Sequence, residues 1–303
     1  MTHLHLTIHA LLLLFMPLFL LGIIGKTKAV FAGRVGPPLL QPTFDVVKLL
    51  RKGLVFSKTT TWVFRAGPLA SLVTALFASM LVPFGGFAAP IGFEGDMVLF
   101  AYLFGLGRFF TVAAALDTGS SFEGMGGARE VTFSCLTEPA LFFSLIVLTR
   151  LSGSLSLSTM IGPGMGQAWH FGGASLVLVA SSLFIVLLTE TCRIPIDDPN
   201  THLELTMIHE VMVLDHGGPA LGLIHYAAGV KLFVLGAVLV RIIVPFTGSP
   251  WASWGVFALG MMALAVIIGV VESTTARLRM AQVPILLLAA CLLSALGIVL
   301  VAR

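Results

Sequence analysis

The stretch Thr189 to Gly218, TETCRIPIDDPNTHLELTMIHEVMVLDHGG, gathers six of the chain's fourteen acidic residues and three of its eight histidines. Carboxylates set so densely among apolar segments suit the movement of protons, or of charge linked to protons, more than bond-making chemistry. An apolar run from Ala174 to Leu188 ends at Glu190 and Arg193, and Pro195 and Pro199 then forbid a regular helix, so the backbone must leave it there. Thr201 and Glu204 have the form of a capping box, and the spacing of Leu205, Ile208 and Met212 predicts a helix over 202–214, stopped by Gly217-Gly218-Pro219. A solvated loop has no need of Leu205, Met207, Ile208, Val211, Met212, Val213 and Leu214 among its acids, so this segment is expected to pack against something. His202, His209 and His216 recur every seventh residue. On a helix that is about 10 Å of rise, too far for two of them to share a zinc ion.

Ionisable residues inside apolar segments are costly and usually face a bundle interior or a water path. Arg108, Glu138 and Lys231 stand in such segments. Glu138 precedes Pro139, which frees a carbonyl one turn back, and Arg108 and Lys231 are its candidate partners by charge. Glu190 stands between Glu138 and the acidic loop. The acids of a candidate proton path are therefore Glu138, Glu190, Asp197, Glu204, Glu210 and Asp215, with Arg108 and Lys231 as the cations, and structural ion pairs between helices are the alternative. Arg150 and Arg241, near segment ends, are expected to reach for the interface, and His225 beside Tyr226 to be a packed interior histidine.

These residues need helices to hold them, and composition says of what kind. The 303 residues are 57% hydrophobic and 10% charged, with a mean hydropathy of +1.04. The expectation is an all-α, polytopic integral membrane protein forming one membrane domain over 1–303. Eight segments long enough to cross a bilayer run roughly over 6–25, 67–88, 97–116, 131–151, 172–189, 223–244, 252–271 and 283–302. The first has no lysine or arginine before it and no small-residue cleavage site after it, so it reads as a retained helix. Lys26, Lys28, Arg34, Lys48, Arg51, Lys52, Lys58 and Arg65 crowd the first loop, which the positive-inside rule makes cytoplasmic. Alternation puts loops 117–130, 190–222 and 272–282 on the same side. The opposite loops, 89–96, 152–171 and 245–251, contain no lysine or arginine, and both termini then lie outside the cytoplasm.

Cys135, Cys192 and Cys291 stand far apart with no C-x-x-C, so the chain offers no cysteine framework for an iron-sulfur cluster or zinc ribbon. It also has no glycine-rich phosphate loop and no basic-aromatic pattern for nucleic acid. In the first loop, Gly33 to Pro38 predicts a rigid turn, and 42–52 a short helix ended by Gly53. Phe44, Val47 and Leu50 lie towards one side of it, and Asp45, Lys48 and Lys52 towards another. Such a helix suits the membrane surface, with lipid as its partner, or another subunit.

Three ordered stretches together resemble a known family. They are Gly33-Arg34-Val35-Gly36-Pro37-Pro38-Leu39-Leu40-Gln41-Pro42 with Asp45 and Lys48; Asp117 to Glu130, DTGSSFEGMGGARE; and Glu190-x-x-Arg193-x-Pro195-x-Asp197 with Glu204-Leu205. The resemblance is to the complex I subunit 1 family, the quinone-site membrane subunit of NADH dehydrogenase. The second stretch and Thr201 to Thr206 are closer to the branch found in membrane-bound nickel-iron hydrogenases such as formate hydrogenlyase.

The resemblance implies a bacterial or archaeal plasma-membrane subunit onto which a soluble electron-transfer arm docks. Iron-sulfur clusters and a nickel-iron centre would lie in partners: hydrogenase large and small subunits, an iron-sulfur subunit and antiporter-like membrane subunits. Arg34, Gln41, Asp45, Asp117, Glu123, Arg129, Glu130 and Arg193 fall in the motifs of a docking or quinone-like chamber, and Glu190, Asp197 and Glu204 in the acidic-loop motif. Complex I chains end that motif in Glu-Tyr-Ser-Gly, where Asp215-His216-Gly217-Gly218 stands here after a few additional residues. Three functions follow from these features: a hydrogenase membrane subunit coupled to proton or sodium movement, a quinone-binding complex I subunit, and a stand-alone ion transporter. The last commonly has two related halves with broken helices in matching positions, a symmetry this sequence lacks. A purely structural anchor with inert acids is the blandest reading.

Overall fold

A computed structural model describes residues 2–198, 207–245 and 249–302. The described residues form helices α1 (Thr2–Phe31), α2 (Gln41–Leu50), α3 (Trp62–Leu81), α4 (Asp96–Asp117), α5 (Ser121–Ser152), α6 (Leu157–Met160), α7 (Met165–Glu190), α8 (His209–Met212), α9 (Gly218–Ile243), α10 (Pro250–Thr274) and α11 (Val283–Val301). Eight are long and apolar enough to cross a membrane, and the protein is an all-α, multi-pass membrane protein. Internal prolines at Pro17, Pro68 and Pro139 are tolerated because neighbouring helices shield the freed backbone groups.

α9 is the axle of the bundle. Its most apolar stretch is 72% buried, against 28% for the last span, because it packs against α1, α2, α3, α7 and α10. A helix enclosed on all sides reads as largely apolar all round, and α9 does so apart from the charges at Lys231 and Arg241. α3 lies along α4, and α11 along α5 and α7.

Several helices differ in length from the sequence expectation. The fourth span begins at Ser121, so most of the expected 117–130 loop is the opening of α5, and Thr118 to Ser120 alone join it to α4. α3 begins at Trp62 and ends at Leu81, earlier at both ends than its apolar run predicts. Of the helix expected over 202–214, the described part is the single turn α8. The expected capping residues Thr201 and Glu204, with His202, lie outside the described residues. The short helix of the first loop forms as α2, ending at Leu50, three residues before Gly53.

The described parts of the acidic segment after α7, 191–198 and 207–213, do not form a surface loop. Ile194, Ile196, Met207, Ile208, Val211, Met212 and Val213 are all buried, so they sit in the bundle as a plug. Gly126 of α5 makes room for it: a Cβ there would meet Val211 Cγ1 at 2.3 Å and the Ile208 carbonyl at 3.0 Å. α7 also ends early relative to its neighbours. Its last residue, Glu190, reaches Arg108, which stands nine residues before the end of α4.

Candidate functional site

Two clusters of charge flank this plug. The first centres on Arg108, a buried side chain of α4. Its Nη1 donates to Glu138 Oε1 at 2.7 Å, its Nη2 donates to Glu190 Oε1, and its Nε lies 3.4 Å from Glu130 Oε1. Lys231 of α9 adds a second cation, 3.3 Å from Glu190 Oε2 and 5.9 Å above the Phe104 ring. Arg108 thus partners Glu138 as expected, whereas Lys231 partners Glu190 instead. Glu130, expected in the docking chamber, joins this hub because α5 starts early enough to carry it there. The Glu138 side chain is 51% exposed on the outside of the bundle.

The second cluster closes the plug against α1 and α10. Glu272, at the end of α10 and fully buried, receives Lys28 Nζ at 2.8 Å and Arg193 Nη1 at 3.1 Å. Arg277 Nη2 donates to Asp197 Oδ1 at 2.8 Å, while Asp197 Oδ2 accepts the backbone N–H groups of Ile208 and His209 at 3.0 and 3.2 Å. Leu278 N donates to the Pro195 carbonyl at 2.9 Å. Burial pushes the Asp197 carboxyl above the usual range, although Arg277 and the backbone donors pull the other way. The sequence reading missed Glu272 and Lys28 as site residues. Charges at the ends of apolar runs look like interface residues, and nothing local marks these two as facing each other.

Between the clusters lies a cavity of about 330 Å³. Leu18, Leu21 and Ile24 of α1 and Val46 and Leu49 of α2 give it an apolar wall, and Arg193, Asp197, His209, Glu210 and His225 a polar one. A smaller cleft of about 40 Å³ borders Arg108, Glu130, Glu190 and Lys231. The two spaces share Thr191, Cys192, His209 and Ala228 as common walls. Asp45 stands at the cavity's exposed side, accepting from Gln41 Nε2 at 2.9 Å.

The other expected site residues are spread more widely. Asp117 caps α3, accepting from Thr61 N, Thr61 Oγ1 and Phe64 N. Glu123 is buried and accepts the Asp215 backbone N–H at 3.0 Å, while Asp215 itself is exposed. Arg129 Nη1 donates to the Met207 carbonyl at 2.8 Å, tying α5 to the plug, and Arg34 is exposed. Glu204 lies outside the described residues. His209 and His216 do not share a helix: α8 stops at Met212, and His216 packs on Phe64 with ring centroids 4.0 Å apart. Arg241 is buried rather than at the interface, its guanidinium donating to the carbonyls of Gly85 and Ile161. Arg150 is exposed, and His225 is partly buried with its ring on the cavity. Among the described residues no three His, Cys, Asp or Glu side chains come together to hold a metal ion.

Residues 4–303 match the family described as NADH dehydrogenase. The chain belongs to that family. Among its relatives, hydrogenase-4 component C of Escherichia coli K12 is 30% identical over 276 residues, covering 89% of this chain and 86% of that one. Formate hydrogenlyase subunit 4 of the same organism is 28% identical over 292 residues, 91% of each chain. One subunit of the NADH-quinone oxidoreductase of Rubrobacter xylanophilus is 26% identical, covering 82% of this chain and 77% of that one. In fold, the chain is similar to one in the membrane-bound sulfane sulfur reductase, an archaeal respiratory membrane complex, with a TM-score of 0.81, 21% identity, and 97% and 98% of the two chains covered. The expected family is thus the one found, and hydrogenase and formate hydrogenlyase components stand beside complex I subunits among its relatives.

Proposed function

We propose that this chain is the membrane-anchor subunit of a membrane-bound nickel-iron hydrogenase complex of the formate hydrogenlyase kind. It docks a soluble electron-transfer arm and couples that arm's redox chemistry to proton or sodium translocation. The observation that carries this reading is the hub, where, among the described residues, Glu130, Glu138 and Glu190 form ion pairs with Arg108 and Lys231 alone. Net charge in a low-dielectric interior is expensive. Three carboxyls against two cations therefore favour holding one extra proton, and a shift of the plug changes how strongly it is held.

The half-exposed Glu138 supports a partner as well, since a carboxylate facing lipid at that depth is costly. An antiporter-like membrane subunit covering it gives the proton somewhere to go. The hydrogenase large and small subunits and an iron-sulfur subunit carry the nickel-iron centre and clusters. This chain's residues bind and orient those partners and hold protons. The basic first loop supports a cytoplasmic docking face in a bacterial or archaeal plasma membrane, with both termini outside. A cysteine at exposed Ser57 is then unreactive to an impermeant reagent outside intact cells, and labelling there would reverse the topology.

A second reading, that the cavity receives a quinone head as in NADH-quinone oxidoreductases, is favoured by its apolar wall facing a polar one. The reading with the hub is tested by Glu138→Gln and Glu190→Gln in the assembled complex. Both keep size and one acceptor oxygen but remove titration. Assembly and electron transfer are expected to survive while ions moved per electron fall; unchanged ratios in both variants would make the hub structural.

A further inference from the structure

We propose that His209 is the proton relay between the cavity and the hub, a role that rests on the coupling function proposed above. Of the four residues common to the two spaces, Ala228 has no polar side chain, and the Thr191 hydroxyl is engaged by the Leu187 carbonyl at 2.7 Å. Cys192 is buried, and that burial pushes its thiol well above the usual range, which leaves it a poor proton carrier. His209 is the remaining one, and an imidazole has a nitrogen that can take a proton and another that can give one.

The α8 turn that carries the ring is held in place. The His209 backbone N–H is fixed by Asp197 Oδ2, while Arg277 anchors the other oxygen of that carboxylate, Oδ1. Gly126 lets the α8 turn sit against α5, and among the described residues no side-chain hydrogen bond commits the imidazole elsewhere. His209 lines the cleft together with Arg108, Glu130, Glu190 and Lys231, and the cavity together with Lys28, Asp45, Arg193, Asp197, Glu210 and His225. Burial, with Lys231 and His225 nearby, lowers its pKa to about 4, so the resting ring is neutral.

The transfer balances as follows. A proton from solvent in the cavity bonds to one ring nitrogen while the N–H bond at the other breaks. That second proton passes across the cleft, which has room for a water and carries Glu130, Glu190 and Lys231 among its lining, to the Glu190 carboxylate. The ring ends neutral in its other tautomer, a ring flip resets it, and Glu190 is left as the acid with its hold on Lys231 weakened.

The test uses the assembled complex in sealed inverted vesicles, reading ions moved per electron alongside hydrogenase turnover. His209→Gln is expected to keep subunit composition and turnover but slow ion movement by about tenfold or more, towards the range a positioned proton-transfer group contributes. His209→Ala is expected to lose as much and to regain it with added imidazole, which a packing role would not allow. Wild-type coupling in His209→Gln beside a coupling defect in Glu190→Gln overturns the relay and leaves the hub function standing. Wild-type coupling in both variants removes the hub function and the relay together. A His209→Ala defect that imidazole does not restore, or failure of both His209 variants to assemble, assigns the ring to structure and also overturns the relay.

Discussion

The two charge clusters are built from the same side chains to opposite ends. At the hub, three carboxyls share two cations. In the clamp, among the described residues, ion pairs join Glu272 to Lys28 and Arg193, and Asp197 to Arg277. An excess of acid in a dry place can be relieved by binding a proton, so the hub's charge is adjustable. The clamp instead holds each of its carboxylates with an arginine, which does not give up its proton in proteins. The clamp is thus suited to fix the plug, and the hub to change state while it is held.

The largest effect separating the two is expected at Arg108. Arg108→Leu leaves three carboxyls around Lys231 alone, and removing one partner from a buried ion pair costs about 3–5 kcal/mol. Membranes carrying this variant should contain little of the protein, by quantitative immunoblot against a conservative core substitution. Arg108→Lys should restore part of the level, since a point charge replaces the fork that now serves three carboxyls. Wild-type levels of the leucine variant would mean that the hub holds its protons without the arginine.

A smaller effect, of a different kind, is expected at Glu272. Glu272→Gln keeps one acceptor oxygen where Lys28 and Arg193 now have one each, and removes the charge, at about 2 kcal/mol, the scale of a hydrogen bond to a charged group. Lys28 is 26% exposed and can turn to water, which limits the loss. The thermal midpoint of the purified complex should fall while ions moved per electron stay at the wild-type value. A variant of normal stability with impaired coupling would put the clamp in the proton path and erase the distinction between the clusters.

Much of this was legible in the sequence, and what was not has a common cause. Hydropathy marked the eight spans, and charges inside them marked Arg108, Glu138 and Lys231, because an intramembrane charge has few reasons to be there. Glu130 was assigned to a loop because DTGSSFEGMGGARE is rich in glycine and polar residues, which read as a chain break in water. Here, Gly126 serves close packing of the plug and the helix runs through it. Glu272, Lys28 and Arg241 sit at the ends of apolar runs, where a charge that reaches the interface and one that turns inward have the same local sequence. Only the partner across the bundle separates the two cases, and a single sequence does not carry that partner.

A third effect, absent at neutral pH, should appear only in acid. If adjustable charge is confined to the hub, histidines of the plug must be uncharged at neutral pH, and His216 is the one that can be examined by itself. It is buried against Phe64, its Nδ1 has no hydrogen-bond partner among the described residues, and burial lowers its pKa from 6.5 to about 4. The folded state therefore disfavours the proton that the unfolded chain takes up below pH 6.5. The neutral ring's contribution is intact above that pH and declines as pH falls towards 4. Linkage puts the loss between pH 7 and pH 5 at about 2 kcal/mol. His216→Phe removes the titration while keeping an aromatic face on Phe64, so its thermal midpoint should match wild type at pH 7.5 and exceed it at pH 5. Parallel midpoints of the two proteins across that range would mean that His216 is solvated or already charged, and that charge change is not confined to the hub.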